Sequence, residues 1–464
     1  MNPSHHHPDD RDRLALPVEV ESVIAEAQEQ GWLALDTEFL RQETYYAELC
    51  LVQIATQNSS LLLEGLDARP VGQSDLRGRR SAGVVTAQSK ALERLLTRLA
   101  PDDDQDVNPG GSGIARPTIV VHSGVQDFEI LGQIRPQLLQ FITDPPPDNH
   151  PTDDTAEGRR AITNDTTPHI IEPPFDTQIA ASFLGLSHQV SYQALVEARL
   201  GVSLDKTQSC TDWSQRPLSP AQRQYAIDDV VYLAELFPSL CEDLQKNGLE
   251  AMVKEETARI YQQALTLDQP KNLWKRVRGA QRLPRPALAI LQEMAIWREK
   301  VAMKRDRPRR WILADDVAIN IARAAMKKDF ALDHRGGRAG RWTPEERDEL
   351  LAGIERGRQR PIEMAPEHST PLTQEQYLAL KAIDSAARAT HQKIIERFTQ
   401  RGIADQWAGS PKALAFWAIQ PDQTPWAAGW RAELVSDLTL PLRQSALQHL
   451  SSPPQALDER STPR

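Results

Sequence analysis

Apolar residues recur along this chain with two different periods, and the change from one to the other divides it. Near the start, Trp32–Asp36, Leu49–Ala55 and Ser60–Glu64 are short runs rich in Leu, Val or Ile between polar flanks, which predict three strands. Ala91–Ala100 predicts a helix, with Leu92, Leu95, Leu96 and Leu99 on one stripe. Thr118–His122 predicts a fourth strand that runs into a helix through Asp127 and Leu131. From Asp176 to Leu244 the pattern is helical. Within it Ser219 is a helix cap ahead of Pro220, and Asn247-Gly248 is a stop. Strands followed by alternating helix and strand predict a mixed α/β sheet flanked by helices. Beyond Lys271 no strand is predicted. Ile290, Met294, Trp297 and Val301 recur there at helical spacing, as do Leu380, Ile383 and Ala387, and these stripes read as core. Two small all-helical domains, split near Gly357–Pro371, are the simplest account.

The polar stretches between these elements set the domain boundaries. Residues 101–117 and 144–174 are rich in Pro, Asp, Gly or Thr and have little capacity for a core, so both read as insertions. The expected order is a flexible N-terminus at 1–17, a main domain at 18–250 and a connecting segment at 251–279. Helical domains at 280–357 and 372–450 follow, joined by 358–371 and trailed by 451–464. A length of 464 residues suits several cores, and 33 prolines suit the insertions. No run approaches the roughly 18 apolar residues of a membrane span, and Met1–Leu14 is polar, unlike a signal peptide. Cys50, Cys210 and Cys241 stand apart from one another and form neither a disulfide framework nor a metal-ligand spacing, which leads to a cytoplasmic expectation. His5-His6-His7 reads as part of a disordered terminus.

Charge sharpens the division. The net charge is −10, yet Lys271–Arg341 holds 19 Lys and Arg against 7 Asp and Glu. That stretch therefore carries +12 and the remainder −22. A basic module of this kind either holds a polyanion through phosphate contacts or forms a salt-bridged helical surface.

Acids gather in three places. On a strand, Asp36 and Glu38 project side by side, because residues two apart share a face. Asp127 begins a helix just after a strand, and Tyr225 and Asp229 lie four residues apart on one helix face. Singly, each has a plain structural reading: a solvated strand edge, a first-turn acid, a core aromatic or a surface acid. Together, four carboxylates at one mouth of a sheet form a hard-oxygen site for two Mg²⁺ or Mn²⁺ ions. Two such ions about 4 Å apart suit in-line phosphodiester displacement.

Asp36-Thr37-Glu38-Phe39, with Arg41, Thr44-Tyr45-Tyr46 and Leu49-Cys50-Leu51-Val52-Gln53, resembles the first exonuclease motif of the ribonuclease D family. His122-Ser123-Gly124 through Asp127-Phe128 is similar to the second motif, and Tyr225 through Asp229 to the third, in the tyrosine-bearing subclass of DEDD exonucleases. Phe175-Asp176-Thr177-Gln178-Ile179-Ala180-Ala181, Leu204-Asp205-Lys206, Thr211-Asp212-Trp213 and Arg216-Pro217-Leu218 resemble the same family. Trp297-Arg298-Glu299 and Arg305 through Leu313, with Asp315-Asp316, look like a helicase-and-RNase-D C-terminal (HRDC) domain, and 370–450 looks like a divergent second copy.

The resemblance implies a ribonuclease H-like mixed-sheet exonuclease domain followed by two HRDC-like domains. It implies Asp36, Glu38, Asp127 and Asp229 as metal ligands and Tyr225 as the residue that positions the attacking water. The implied activity is 3′→5′ exoribonuclease, on tRNA precursors or other structured RNA, with release of nucleoside 5′-monophosphates. Asp228 points about 100° away from Asp229 around the helix and is set aside. Asp176 is expected as a helix cap and His122 as a packed strand-end residue, while Lys206 and Arg216 are open between phosphate contact and structure. Ala47, Cys210 and the two insertions depart from the family pattern without touching a ligand position. A DNA 3′→5′ exonuclease and a non-catalytic RNA-binding protein on a nuclease fold are the competing readings.

Overall fold

The computed structural model describes residues 14–41, 43–66, 87–100, 116–142, 173–266, 269–361, 366, 372–420, 426 and 428–451. The histidine run, the final tail and nearly all of both expected insertions lie outside them.

Helix α1 (Pro17–Gln30) buries Val20, Val23, Ile24 and Ala27 and stops at Gly31, whose φ of +85° favours glycine. The Gly31 N–H closes the helix on the Ala27 carbonyl at 2.8 Å, and the chain enters β1 (Trp32–Leu40) directly. Strands β2 (Glu48–Ala55) and β3 (Ser60–Glu64) come next, then α2 (Ala87–Leu99), β4 (Thr118–Val121), α3 (Val125–Ile134) and β5 (Phe175–Asp176). The sheet order is β3-β2-β1-β4-β5, antiparallel on the β2 side of β1 and parallel on the β4 side. This is the mixed α/β sheet the sequence predicts. Its central strand is covered on both faces, so Leu33, Ala34 and Leu35 are all buried rather than alternating.

After β5 the helical pattern expected over Asp176–Leu244 is realised only in part. Helices α4 (Thr177–Ser182) and α5 (Tyr192–Leu200) are short, and the chain is irregular up to α6 (Pro220–Asn247). Gly185 and Gly201, both at positive φ, break the periodicity, and Asp205 and Asp212 turn their carboxylates onto the N–H groups of Thr207 and Ser214. Ser219 does cap α6: its hydroxyl accepts the Gln222 N–H at 3.1 Å, and the Gln222 side chain accepts the Ser219 N–H at 3.0 Å. Helix α7 (Glu250–Leu265) occupies much of the expected connecting segment.

The remaining helices are α8 (Arg285–Arg305), α9 (Arg309–Ile312) and α10 (Asp315–Ala324), then α11 (Pro344–Gln359), α12 (Gln374–Gln400), α13 (Pro411–Ile419) and α14 (Gly429–Ser451). Between α10 and α11 lies a two-stranded turn that the sequence did not predict, β6 (Gly336–Gly337) paired with β7 (Gly340–Arg341). A Cβ at Gly337 would stand 2.2 Å from the Trp311 carbonyl oxygen, so the turn exists because glycine permits that approach.

Two compact units emerge, and neither is a continuous piece of chain. The first comprises 1–177, 196–238 and 257–367, and the second 178–195, 239–256 and 368–464. The basic helical region around 280–357 falls in the first unit, as the sheet does.

Within the first unit, the predicted stripe Ile290, Met294, Trp297 and Val301 is buried along α8. Trp297 meets Trp342 edge-on at 5.1 Å and donates its indole N–H to the Glu346 carbonyl. Arg298 pairs with Asp315 at 2.7 Å in the interior, Arg305 with Glu346, and Arg309 with both oxygens of Glu299. Several arginines of the basic stretch are therefore committed to internal ion pairs, as the salt-bridged alternative expects. Asp306, Glu299 and Arg309 of this segment also strap the loop after β1. The N–H groups of Tyr45 and Tyr46 donate to Asp306 at 3.1 Å each, the Tyr45 hydroxyl donates to Glu299, and Arg309 lies 4.7 Å over the Tyr45 ring.

Within the second unit, Phe183 packs between Trp407 and Trp430 at 5.5 and 5.1 Å. The fully buried Glu256 accepts from Arg431 and from the Trp430 indole. The expected stripe on α12 is buried at Ile383 and Ala387, with Ala379 rather than Leu380 completing it.

Candidate metal centre

Strand β1 supplies the first two acids. Its alternation sends Asp36 and Glu38 to one face and Thr37 to the other. Helix α6 brings Asp229 up to the pair, with Tyr225 one turn earlier and bonded through its hydroxyl to the Asp229 carboxylate. Oxygens of Asp36, Glu38 and Asp229 all lie within 4.8 Å of one another. Asp127, in the first turn of α3, stands outside that tight set. Its carboxylate accepts the Thr37 hydroxyl.

The electrostatics follow from this crowding. Burial, then the charges of Asp127, Asp229 and Glu38, hold Asp36 well above the usual carboxylate range. Burial followed by Asp229 and Asp127 pushes Glu38 up to about 9. Burial raises Asp229 to about 7, with Asp228 adding to the rise and the Tyr225 hydrogen bond opposing it. Burial takes Asp127 to about 6, with the Thr37 hydrogen bond holding it down. Burial also raises Tyr225, so its phenol stays protonated across the physiological range. Asp36 and Glu38 are thus costly to ionise, and the charges acting on both are those of the other acids of the cluster. An oxygen-only cluster of this kind fits a divalent ion, whose charge would reverse every one of those shifts.

The other sequence candidates separate cleanly. Asp228 accepts from Gln224 one turn back. Arg216 is engaged with both Glu64 oxygens, at 2.8 and 2.7 Å, and with the Cys50 and Trp213 carbonyls, so its role is structural. Lys206 is exposed, and the His122 ring nitrogen meets the Thr177 hydroxyl at 3.0 Å. Asp176 does act as a cap, but for a distant helix: it accepts the Ser123 and Gly124 N–H groups at the start of α3. Thr37 and Tyr261 were not anticipated. For Thr37 the alternation of β1 was the available signal, since it turns a hydroxyl to the face opposite the paired acids. For Tyr261 nothing local distinguishes it from a core aromatic.

Residues 115–245, which carry Asp127, Tyr225 and Asp229, match the family model described as 3′-5′ exonuclease. A ribonuclease D of Sphingobium indicum is 31% identical over 315 residues, covering 67% of this chain and 63% of that relative, under two thirds of its length. A ribonuclease D of Nitrobacter hamburgensis is 29% identical over 454 residues, covering 94% of this chain and 96% of the relative. The crystal structure of Escherichia coli RNase D, described as an exoribonuclease involved in structured RNA processing, superposes with a TM-score of 0.62. It covers 93% of this chain and 98% of its own, at 24% identity. Over most of its length, then, the chain is similar to a curated ribonuclease D.

Proposed function

We propose that this chain is a metal-dependent 3′→5′ exoribonuclease that shortens structured RNA, tRNA precursors foremost, releasing nucleoside 5′-monophosphates. The observation that carries the reading is the convergence of Asp36, Glu38 and Asp229 within 4.8 Å, with Tyr225 bonded to Asp229. Asp36, Glu38, Asp229 and Asp127 are the ligands for two divalent ions, Mg²⁺ or Mn²⁺. Bound there, such ions supply Lewis-acid stabilisation of the attacking and leaving oxygens. Tyr225 stays neutral and acts by orientation. Its hydroxyl donates to Asp229, and its oxygen lone pairs accept from a water lined up on the terminal phosphate. Thr37 holds the Asp127 carboxylate, and the elevated affinities of Glu38 and Asp229 for protons are what metal binding must overcome.

The test is a degradation assay on 3′-extended tRNA, single-stranded RNA and single-stranded DNA, with Mg²⁺ or EDTA. Wild-type protein should shorten RNA stepwise from the 3′ end, and Asp229→Ala should be slower by at least about 10³-fold. Equal rates in EDTA, or in the variant, would defeat the metal assignment. Preferential digestion of DNA would transfer the activity to the other polymer.

A further inference from the structure

We propose that Tyr261, on the helix that follows the exonuclease segment, is a positioning residue that sets the place of Asp127 through Asp176. The proposal rests on the reading of Asp127 as a metal ligand. Tyr261 is fully buried, and its hydroxyl donates to Asp176 Oδ2 at 2.8 Å. Asp176, itself 2% exposed, gives Oδ1 to the Ser123 N–H at 2.9 Å and Oδ2 to the Gly124 N–H at 3.3 Å. Those amides form the turn into α3, and Ser123 sits at φ +57°, a left-handed conformation that a non-glycine residue adopts only when its surroundings hold it there. Asp127 lies three residues beyond Gly124, in the first turn. A displaced turn would therefore move its carboxylate directly.

Two further contacts tie Tyr261 to this turn. Its ring meets Phe128, the neighbour of Asp127, edge-on at 5.6 Å. A Cβ at Gly124 would stand 3.1 Å from the Tyr261 hydroxyl and 2.6 Å from Val121 Cγ2, so the backbone and the phenol approach as closely as glycine allows. Asp127 is thus fixed from two sides, by the Thr37 hydroxyl on β1 and by the Tyr261–Asp176 pair beneath its helix. The phenol matters beyond its volume, because without it one oxygen of a buried carboxylate loses a donor and the strained turn loses a brace.

The experiment measures the full-length protein with Tyr261→Phe, Asp176→Asn, the double variant and Asp127→Asn. Its readouts are Mn²⁺ affinity by calorimetry, kcat and KM on a 3′-extended RNA, amide exchange over residues 123–127 and thermal midpoint. Tyr261→Phe should weaken Mn²⁺ binding and lower kcat by about tenfold each, with KM unchanged and amide exchange faster. Asp176→Asn should do the same, and the double variant should lose no more than the larger single loss. A lowered thermal midpoint with wild-type Mn²⁺ affinity and kcat would make Tyr261 merely structural and overturn the proposal, as would additive losses in the double variant. Should Tyr261→Phe fail to fold, Asp176→Asn decides the question on the same readouts. If Asp127→Asn binds Mn²⁺ and turns over like wild type, the ligand reading itself fails. If only Asp127→Asn is impaired, that reading stands and the positioning role falls.

Discussion

The Glu38 carboxyl is pushed up to about 9, against an ordinary value of 4.5, and Asp229 to about 7. In the metal-free protein these acids bind protons that the unfolded chain releases above about pH 4. A raised carboxylate costs stability once pH climbs past its unfolded value, and the cost grows until pH passes the folded value. The metal-free protein should therefore be more stable near pH 5 than near pH 8, and millimolar Mg²⁺ or Mn²⁺ should restore the loss at pH 8. Thermal midpoints in EDTA and in metal at the two pH values check this; a midpoint in EDTA that rises from pH 5 to pH 8 would refute it. Most of this residue-scale chemistry was legible in the sequence, because period-two alternation alone pairs Asp36 with Glu38 and four-residue spacing pairs Tyr225 with Asp229. Asp176 was recognisable as a cap, yet the helix it caps lies more than 50 positions earlier and no local pattern points there. Tyr261 is further still from anything that marks it.

At the scale of elements, helix α8 shows why charge counts mislead. Its Arg298 is buried against Asp315, with 4% of the arginine side chain exposed, and also donates to the Leu313 carbonyl. Arg298→Met should strip Asp315 of its buried partner, leaving only the largely exposed Arg310 at 3.6 Å, and destabilise the first unit by up to about 3–5 kcal/mol, readable by denaturant titration. An effect below about 1 kcal/mol would show the pair to be dispensable. Strand positions were predicted well because β1 to β4 are short, apolar and bounded by polar residues. The stretch after Asp176 was read as helical in pattern, with one helix entered at Ser219–Pro220, because its apolar spacing hides the glycine-dependent turns at Gly185 and Gly201. The β6–β7 turn escaped for a similar reason: two-residue strands made of glycine and arginine carry no alternation.

For the whole molecule, the sequence distinguished acidic, carboxylate-bearing stretches from a basic helical one, but not how the basic stretch divides its charges. Some arginines fasten helices and the loop after β1, while Arg278, Lys304 and Lys327 remain exposed. If these exposed groups contact phosphate, replacing all three with Gln should weaken RNA binding and reduce the magnitude of its log–log salt slope by about 2, since each contact contributes roughly 0.7 on single strands. Filter-binding titrations at several salt concentrations measure this, with kcat on a short oligonucleotide unchanged. An unaltered slope would assign RNA holding elsewhere on the chain.

The strap between Tyr45 and Asp306 also bears on how the protein is made. The two residues are 261 positions apart. At a synthesis rate of about 5–20 residues per second, Asp306 is added roughly 13–50 s after Tyr45. During that interval the loop following the catalytic strand has no anchor, and Asp229 itself arrives only well into it. A growing chain thus passes through much of its own translation with its four acids not yet assembled and this loop not yet strapped.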